Sequence, residues 1–268
     1  MCIRDRIIAP TLNTQPGDIV KLPILSERTK QDRGKEITFD CVNLSKTDWD
    51  SFETSWDFTT HPLVSMSKGL WDATATAAAM DYFYGYLPEA SCPLEICYLL
   101  WQGQCKERFE KLKANEEELN RIFIDIYGLQ DELTPEVEEK DVTVRKADLQ
   151  RDIKSLLSYA VGCMFGRYSL DVPGLVLAGQ PFEEKFVHAS NAVTGTGVLG
   201  APGLLRAPGA LYLRTEDGVK QCTFAPDVDN AIPITDEEYL EDDIIARLCD
   251  WLKVVYLSLI HISEPTRL

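Results

Sequence analysis

The stretch that decides the fold is Gln102–Tyr127, which reads QGQCKERFEKLKANEEELNRIFIDIY. Its apolar residues recur every three or four positions, which is the spacing of one face of an α-helix. They are Cys105, Phe109, Leu112, Leu119, Ile122, Phe123 and Ile126. Gly128 follows at once, and glycine is common just beyond the end of a helix. The stretch therefore predicts one long amphipathic helix that ends at Tyr127.

Three further stretches carry helix signals. Ala147–Met164 repeats the apolar spacing and is followed by Gly166. Leu94–Trp101 comes after a proline, which suits a first helical turn, and favours a buried helix. Thr235–Tyr256 opens on Thr-Asp-Glu-Glu, a capping box that satisfies two exposed amides at a helix start. We predict a mainly α-helical chain with minor irregular β-structure.

The other regions lack a regular period. Ile7–Leu25 holds short apolar pieces between turn residues and predicts a loop, a strand and a sheet edge. Ser45–Pro62 contains two Trp and two Phe without helical or strand spacing, and we interpret it as an ordered segment whose aromatic rings anchor on a neighbour. Leu170–Pro233 is dense in glycine and proline and predicts irregular structure with short strands, such as Ala210–Leu213.

The charge balance narrows the classes of function. The 268 residues, 45% of them hydrophobic, can bury the core of one large domain or two small ones. With 27 Lys and Arg against 43 Asp and Glu, the formal charge is −16. Because tight DNA binding rests on neutralising phosphates with Lys and Arg, we do not expect the chain alone to be a strong general DNA binder.

Cysteine use and hydropathy indicate the compartment. The 8 cysteines show no framework spacing, which favours free thiols in a reducing cytoplasm. We find neither a signal peptide nor an apolar run near the ~20 residues that a membrane-spanning helix needs. The sequence therefore predicts a cytoplasmic protein without a membrane partner.

Several short motifs match known cofactor-binding or metal-binding patterns but are better explained as ordinary loop and core residues. Gly195–Gly200 (GTGVLG) matches a dinucleotide fingerprint, but Ala201–Gly203 (APG) follows where a helix would have to open, so we predict a flexible loop. Cys92, Cys97 and Cys105 supply only one borderline pair for zinc, which usually needs two. We interpret these thiols as core residues.

The remaining polar residues also form no recognisable catalytic motif. Asp171, Glu183 and Lys185 loosely resemble a metal-nuclease carboxylate set, but such residues are common and chance explains them better. The chain's three histidines show no metal-binding spacing; they are His61, His188 and His261. The sequence predicts no catalytic, cofactor-binding or metal-binding residue.

The two ends of the sequence differ from the rest. Met1–Arg6 and Ser258–Leu268 resemble translated sequencing-adapter DNA at the edges of metagenomic contigs. We exclude both from fold reasoning and expect a gene that is interrupted at both ends, so that the chain is a fragment.

Four longer strings point to one family. They are Ser45–Phe58 (SKTDWDSFETSWDF), Asn115–Leu129 (NEEELNRIFIDIYGL), Ala160–Asp171 (AVGCMFGRYSLD) and Pro233–Ile244 (PITDEEYLEDDI). Together they resemble the PglX-type adenine-specific DNA methyltransferases of bacterial BREX phage-defence systems. Leu12–Ile24 (LNTQPGDIVKLPI) is similar to the close of a target-recognition region in this family and in related restriction-modification enzymes.

The resemblance implies methyl transfer from S-adenosylmethionine to the exocyclic amine of adenine in the intact parent. That chemistry needs a glycine-rich cofactor loop and an Asn/Asp-Pro-Pro-Tyr/Phe motif that holds the flipped base. The sequence contains no Pro-Pro, so no catalytic residue can be carried over. The resemblance places the chain downstream of the catalytic domain, as the helical C-terminal region of a larger multidomain methyltransferase. Double-stranded DNA and other phage-defence proteins are then partners through the parent, which is not expected to cut DNA.

We expect the following organisation. Residues 1–6 and 258–268 are adapter-like; 7–25 close a target-recognition region; 26–62 form an aromatic-rich connector; 63–170 form a helical domain; 171–233 form a Gly/Pro-rich loop with short strands; 234–257 form a C-terminal helix.

Six residues are candidates for contacts outside the segment. The aromatic ones, for docking against a neighbouring domain, are Trp49, Trp56 and Phe58; the basic ones, for phosphate contacts, are Lys21, Lys46 and Arg167. Simple core packing explains the aromatic set about as well, and lone basic residues are usually just solvated. If the resemblance is set aside, the acidic charge and the missing catalytic motif favour a stand-alone helical protein-interaction module.

Overall fold

The structure is a computed structural model that describes residues 28–73, 93–188, 210–234 and 242–257. These residues fall into two compact units. The first unit holds the described residues 28–50 and 102–147; the second holds 51–73, 93–101, 148–188, 210–234 and 242–257.

Helices dominate the described residues, together with one small sheet. The helices are α1 (Arg28–Trp49), α2 (Pro62–Ala73), α3 (Pro93–Tyr127), α4 (Leu149–Met164), α5 (Phe182–Lys185) and α6 (Ile244–Leu252); the strands are β1 (Phe186–His188), β2 (Leu211–Thr215) and β3 (Gly218–Gln221). A short 3₁₀-helix covers Glu139–Asp141, and a short π-helix covers Lys253–Leu257. The prediction of a mainly α-helical chain with minor β-structure is confirmed. None of the described helices is long and apolar enough to cross a membrane.

In the first unit, α1 packs against the second part of α3 through polar contacts. Asp40 accepts hydrogen bonds from Lys111 at 2.9 Å and from Asn115 at 2.8 Å. Eight residues further along α1, Asp48 forms a buried ion pair with Arg108 at 3.4 Å. Because a later residue of α1 meets an earlier residue of α3, the two helices run in opposite directions. The interpretation of Ser45–Pro62 as non-repetitive was wrong at its start, since α1 continues to Trp49.

The core of this unit lies between α3 and the segment that follows it. It contains the buried residues Phe109, Leu112, Val142 and Val144, with Cys41, Leu44 and Val137 packed against them.

The predicted apolar stripe of α3 is buried in its first half, whereas in its second half Leu119, Ile122 and Ile126 are half-buried and Phe123 was predicted wrongly. Phe123 is 53% exposed, whereas the neighbouring Ile124 is buried. The inward face shifts because this part of the helix meets the chain near Pro135 through polar groups: the amide of Asn120 donates to the Pro135 carbonyl at 3.0 Å. The helix ends at Tyr127, and Gly128 adopts φ +64°, as the sequence predicted.

The sheet of the second unit is antiparallel, in the order β1-β2-β3. Val187 of β1 lies opposite Tyr212 of β2, and Leu213 of β2 lies opposite Lys220 of β3. One face covers a cluster of buried apolar residues, namely Val176, Phe186, Leu211 and Leu213. The strand predicted at Ala210–Leu213 is therefore confirmed as part of β2.

Helix α4 begins with two aspartates that satisfy its free amides. The Asp148 carboxylate accepts from the Arg151 amide at 2.7 Å, as an N-cap residue does. Asp152, 2% exposed, accepts from the Asp148 amide at 3.0 Å and from the indole of Trp101 at 3.2 Å. A carboxylate this deeply buried is tolerated because it is hydrogen-bonded and lies 2.9 Å from the Arg151 guanidinium.

The face that α4 buries differs from the predicted apolar stripe. Leu149 and Leu157 are 57% and 40% exposed. The buried face keeps Leu156, Ala160 and Met164 of the predicted stripe and adds Asp152, Tyr159 and Cys163. Prediction from the apolar residues alone placed the buried face at a different angle around the helix, because a hydrogen-bonded aspartate and a tyrosine occupy inward positions.

The prediction of one unbroken C-terminal helix from Thr235 was wrong. Helix α6 begins at Ile244, and Asp243 before it is extended, with φ −70° and ψ 165°. The buried carboxylate of Asp243 accepts from the Ala246 amide at 2.8 Å, so this aspartate caps the helix. The predicted capping box lies outside the described residues.

Gly162 of α4 should not tolerate a side chain. A Cβ there would lie 2.6 Å from the Tyr168 ring, which is buried and cannot move aside cheaply. We expect Gly162→Ala to lower the free energy of unfolding by about 1–3 kcal/mol through overpacking, as measured by urea denaturation. Gly69→Ala is the matched control, since nothing lies within 4 Å of its Cβ position in α2. An equally stable Gly162→Ala variant would contradict the close contact.

Candidate interaction site

The aromatic segment 51–60 is shaped by consecutive turns in the second unit. The Ser55 amide donates to the Phe52 carbonyl at 2.9 Å, and the Phe58 amide donates to the Ser55 carbonyl at 3.4 Å. The Asp57 amide also donates to the Ser55 hydroxyl at 3.1 Å. These turns direct Phe52 and Phe58 inward, at 8% and 5% exposure, while Trp56 between them is fully exposed.

Phe58 is held by a cluster of rings centred on Tyr159. Its ring meets Tyr159 edge-on at 5.9 Å and Tyr168 edge-on at 5.5 Å. Tyr159 and Tyr168 stack at 5.0 Å, and Trp251 approaches Tyr159 edge-on at 6.3 Å. Offset and edge-on pairs are the favourable arrangements of aromatic rings, so the cluster fixes the base of the turn segment.

A polar group lies beside this cluster. The Ser158 hydroxyl donates to Oε2 of Glu53 at 3.2 Å, whereas the buried Oε1 has no hydrogen-bond partner. Burial raises the pKa of the Glu53 carboxyl above its usual range, and the Ser158 hydrogen bond and the charge of Arg167 offset part of the rise. Arg167 is exposed and lies over the Tyr168 ring at 5.5 Å from its centroid.

The structure thus brings three of the predicted residues into one region of the second unit. Arg167 and Phe58 both contact Tyr168, and Trp56, two positions before Phe58, is fully exposed. We call the two exposed side chains of this region, Trp56 and Arg167, the indole–guanidinium surface; the charge of Arg167 acts on Glu53.

The other predicted candidates lie elsewhere. Trp49 is in the first unit, 51% exposed on α1. Lys46 on the same helix forms an ion pair with Asp50 at 2.8 Å. Lys21 lies outside the described residues, as does Gly195–Gly200.

The titratable groups near the ring cluster are unsuited to catalysis. Burial lowers the pKa of His61 to about 3, and its Nδ1 accepts a hydrogen bond from the Leu63 amide at 3.3 Å. Burial raises the pKa of Cys163 to about 12 and also raises the pKa of Tyr159. His61 is therefore a neutral residue at the start of α2, and the thiol stays protonated, so they do not form an activated nucleophile with a general base.

The residues weighed as metal ligands have structural roles where they are described. The Asp171 carboxylate accepts from the Thr223 amide at 2.8 Å and from its hydroxyl at 2.5 Å, which ties the end of β3 to the loop after α4. Cys97 and Cys105 are buried on α3, and Cys92 lies outside the described residues. Within the described part of the chain, no group of three or more His, Cys, Asp or Glu could hold a metal ion.

The groups of the indole–guanidinium surface are chemically suited to binding a partner. An exposed indole can cover an apolar or aromatic group of a partner, and a guanidinium can pair with a phosphate or a carboxylate.

Comparison with known proteins identifies the family. The chain is 36% identical over 254 residues, or 94% of its length, to the adenine-specific methyltransferase PglX of Lacticaseibacillus casei (strain Zhang). It is 28% identical over 265 residues, or 93% of its length, to the adenine-specific methyltransferase BrxX of Escherichia coli O9:H4 (strain HS). The chain belongs to the PglX family. It spans 17% of the length of each of these two relatives, and no family model matches it.

Membership in the PglX family confirms the resemblance that the four longer strings indicated. Sequence reasoning nevertheless missed Tyr168, which contacts both Arg167 and Phe58, and the nearby pair of Glu53 and Ser158. Glu53 and Ser158 are of common types and lie 105 positions apart, so that no spacing could have paired them. The Tyr168 ring could have been suspected only from Gly162, which leaves room for it.

The buried, neutral His61 predicts a loss of stability in acid. Its pKa is depressed in the folded protein. Below about pH 6.5 the imidazole of the unfolded chain therefore binds a proton, whereas that of the folded protein stays neutral down to about pH 3. The contribution of the neutral imidazole to the free energy of unfolding is complete above pH 6.5 and falls as the pH drops from 6.5 towards 3. Between pH 7 and 5 we expect a loss of about 2 kcal/mol, measured by urea denaturation at each pH.

His61→Asn is the control for this prediction. Asparagine keeps an acceptor for the Leu63 amide at the helix start and does not titrate. The difference between the two pH values should therefore shrink by about that amount in the variant. An unchanged difference would assign the acid sensitivity to other groups.

Proposed function

We propose that this chain is the non-catalytic C-terminal portion of a site-specific, S-adenosylmethionine-dependent DNA adenine methyltransferase of a BREX phage-defence system. In the intact protein it supports DNA recognition and contacts with other defence proteins. The methyl group is transferred by the rest of the full-length protein, outside this segment. We place this intact enzyme in the cytoplasm, with double-stranded DNA as its substrate.

The observation that carries the proposal is the extent of the match to PglX. Homology covers 94% of this chain but 17% of the relative, so the chain corresponds to one segment of a much longer protein. The relative is named an adenine-specific methyltransferase. A segment that is similar along nearly its whole length is expected to do the same part of the same work.

Two features support a role outside the catalytic step. The sequence lacks the Pro-Pro on which the adenine-binding motif of such enzymes is built. The buried His61 and Cys163 are held in their neutral forms and cannot exchange protons near neutral pH. The transfer chemistry is therefore assigned to the part of the methyltransferase that this chain does not include.

The proposal predicts the outcome of a complementation experiment. Neither this chain nor the remainder of its full-length methyltransferase should methylate adenine in duplex DNA alone, whereas a mixture of the two should restore activity. The measurement is transfer of labelled methyl groups from S-adenosylmethionine, with the intact protein as the positive control. Methylation or cofactor binding by this chain alone would contradict the non-catalytic role. Full activity of the remainder without it would show that the segment is dispensable for DNA recognition.

We further propose that the indole–guanidinium surface makes contacts outside the segment. Trp56 would cover an apolar group of a neighbouring domain or defence protein, and Arg167 would contact a DNA phosphate. Two features support this: the indole is fully exposed, and Arg167 is exposed with its guanidinium held beside the Tyr168 ring.

A phosphate contact by Arg167 predicts a change in salt dependence. Each neutralised phosphate adds about 0.9 to the slope of log affinity against log salt for duplex DNA. Arg167→Ala in the intact methyltransferase should lower that slope by about this amount and weaken binding to specific and nonspecific sequences alike. The measurement is a titration of labelled duplex at several salt concentrations.

Lys253→Ala is the control for this titration. It removes the same charge from an exposed residue of the same unit, where the ammonium already pairs with Asp250 at 3.0 Å. If both variants shift the slope equally, the effect comes from net charge and not from a contact by Arg167.

A further inference from the structure

Helix α1 has two unlike faces. Its inward face packs in the first unit through Ile37 and Asp48, which are 4% and 5% exposed. The opposite face carries large apolar side chains in the open: Phe39 is 70%, Val42 56% and Trp49 51% exposed. Positions 39, 42, 46 and 49 are spaced by three and four residues and so lie along one face. We call Phe39, Val42, Lys46 and Trp49 the outer stripe.

The outer stripe is apolar and nearly uncharged, in contrast to the acidic chain around it. Its one charged member, Lys46, is paired with Asp50 at 2.8 Å. The exposed parts of the other three side chains amount to roughly 300 Å² of apolar surface, since a large aromatic side chain has about 150–250 Å² to bury. The largest apolar patch on a typical monomeric protein covers about 300–600 Å² and is often an interaction site, so the outer stripe reaches the lower end of that size.

We propose that the outer stripe docks against another part of the same methyltransferase chain, which buries Phe39, Val42 and Trp49. The inference rests on the proposed function, in which this chain is a segment of a longer protein. The relatives show how much of that protein lies outside it, since the chain spans only 17% of their length.

The size and charge of the stripe favour this occupant over others. A stable interface between free proteins buries about 800 Å² on each partner, more than twice what the stripe offers. Domains of one chain can dock through smaller surfaces, because the linker holds them at an effective concentration that free partners do not reach. Nucleic acid is disfavoured, since the only cation of the stripe is already paired with Asp50.

Hydroxyl-radical footprinting of the full-length methyltransferase tests the docking. Oxidation rates of Phe39 and Trp49 are measured in the folded protein and in urea. The references for burial are Phe109 and Trp101, which are 6% and 3% exposed. We expect Phe39 and Trp49 to be protected to the level of these references. Rates close to those of the urea-unfolded protein would overturn the proposal.

A substitution separates docking from incidental protection. In the full-length protein, Trp49→Ser should release the stripe, so that Phe39 becomes reactive towards its unfolded rate. Phe123→Ser is the matched control, because Phe123 is equally exposed in the same unit but lies on α3. Unchanged protection of Phe39 in Trp49→Ser would overturn a shared docking surface, and circular dichroism confirms that both variants are folded.

The other occupants give distinct results. Protection that grows with protein concentration would identify a second copy, and protection that needs an added defence protein would identify a separate partner; both overturn the proposal. Methylation by the same full-length samples is measured in parallel. A reactive stripe in an active enzyme refutes only the docking, whereas a protected stripe in a protein that cannot methylate adenine refutes only the proposed function.

Discussion

The ring of Tyr159 is the contact on which the second unit depends. Segments that are far apart in the sequence meet on it: Phe58 from the turn segment, His61 from the start of α2, Tyr168 from the loop after α4, and Trp251 from α6. Because the ring is fully buried, each of these segments must hold its place for the others to pack. The exposed Trp56 therefore lies on a fixed support, which would preorganise it for the proposed contact.

The parts of the fold that the sequence predicted are those in which burial follows apolar periodicity. The first half of α3 and the glycine after its end are of this kind, since Phe109 and Leu112 face the core. Helix α1 was not recognised because apolar residues lie on both of its faces, with Ile37 and Leu44 inward and Phe39 outward. Its inward face uses the carboxylates of Asp40 and Asp48, paired with α3, while Phe39 and Trp49 point outward. Tertiary ion pairs of this sort leave no trace in local spacing.

The sequence proposed Trp56, Phe58 and Arg167 as candidates but could not predict how the structure arranges them. Trp56 and Phe58 belong to one aromatic cluster in the sequence, yet one is fully exposed and the other 5% exposed. The difference arises from turns that the backbone and the hydroxyl of Ser55 stabilise, and such turns are compatible with many sequences. The same holds for Glu53 and Ser158, whose contact depends on how the turn segment packs against α4.

An acidic segment is compatible with a DNA methyltransferase if the segment positions the enzyme on the duplex and does not itself add affinity for DNA. Many described cations are already paired, such as Arg108 with Asp48 and Lys111 with Asp40, and so contribute little to phosphate binding. With a formal charge of −16, the segment adds no general attraction for DNA that would compete with the target site. In the proposed function, an exposed guanidinium such as Arg167 would fix the register on the duplex and leave sequence readout to other parts of the enzyme. Under the proposed function, the acidic balance would therefore limit nonspecific binding and favour the target site.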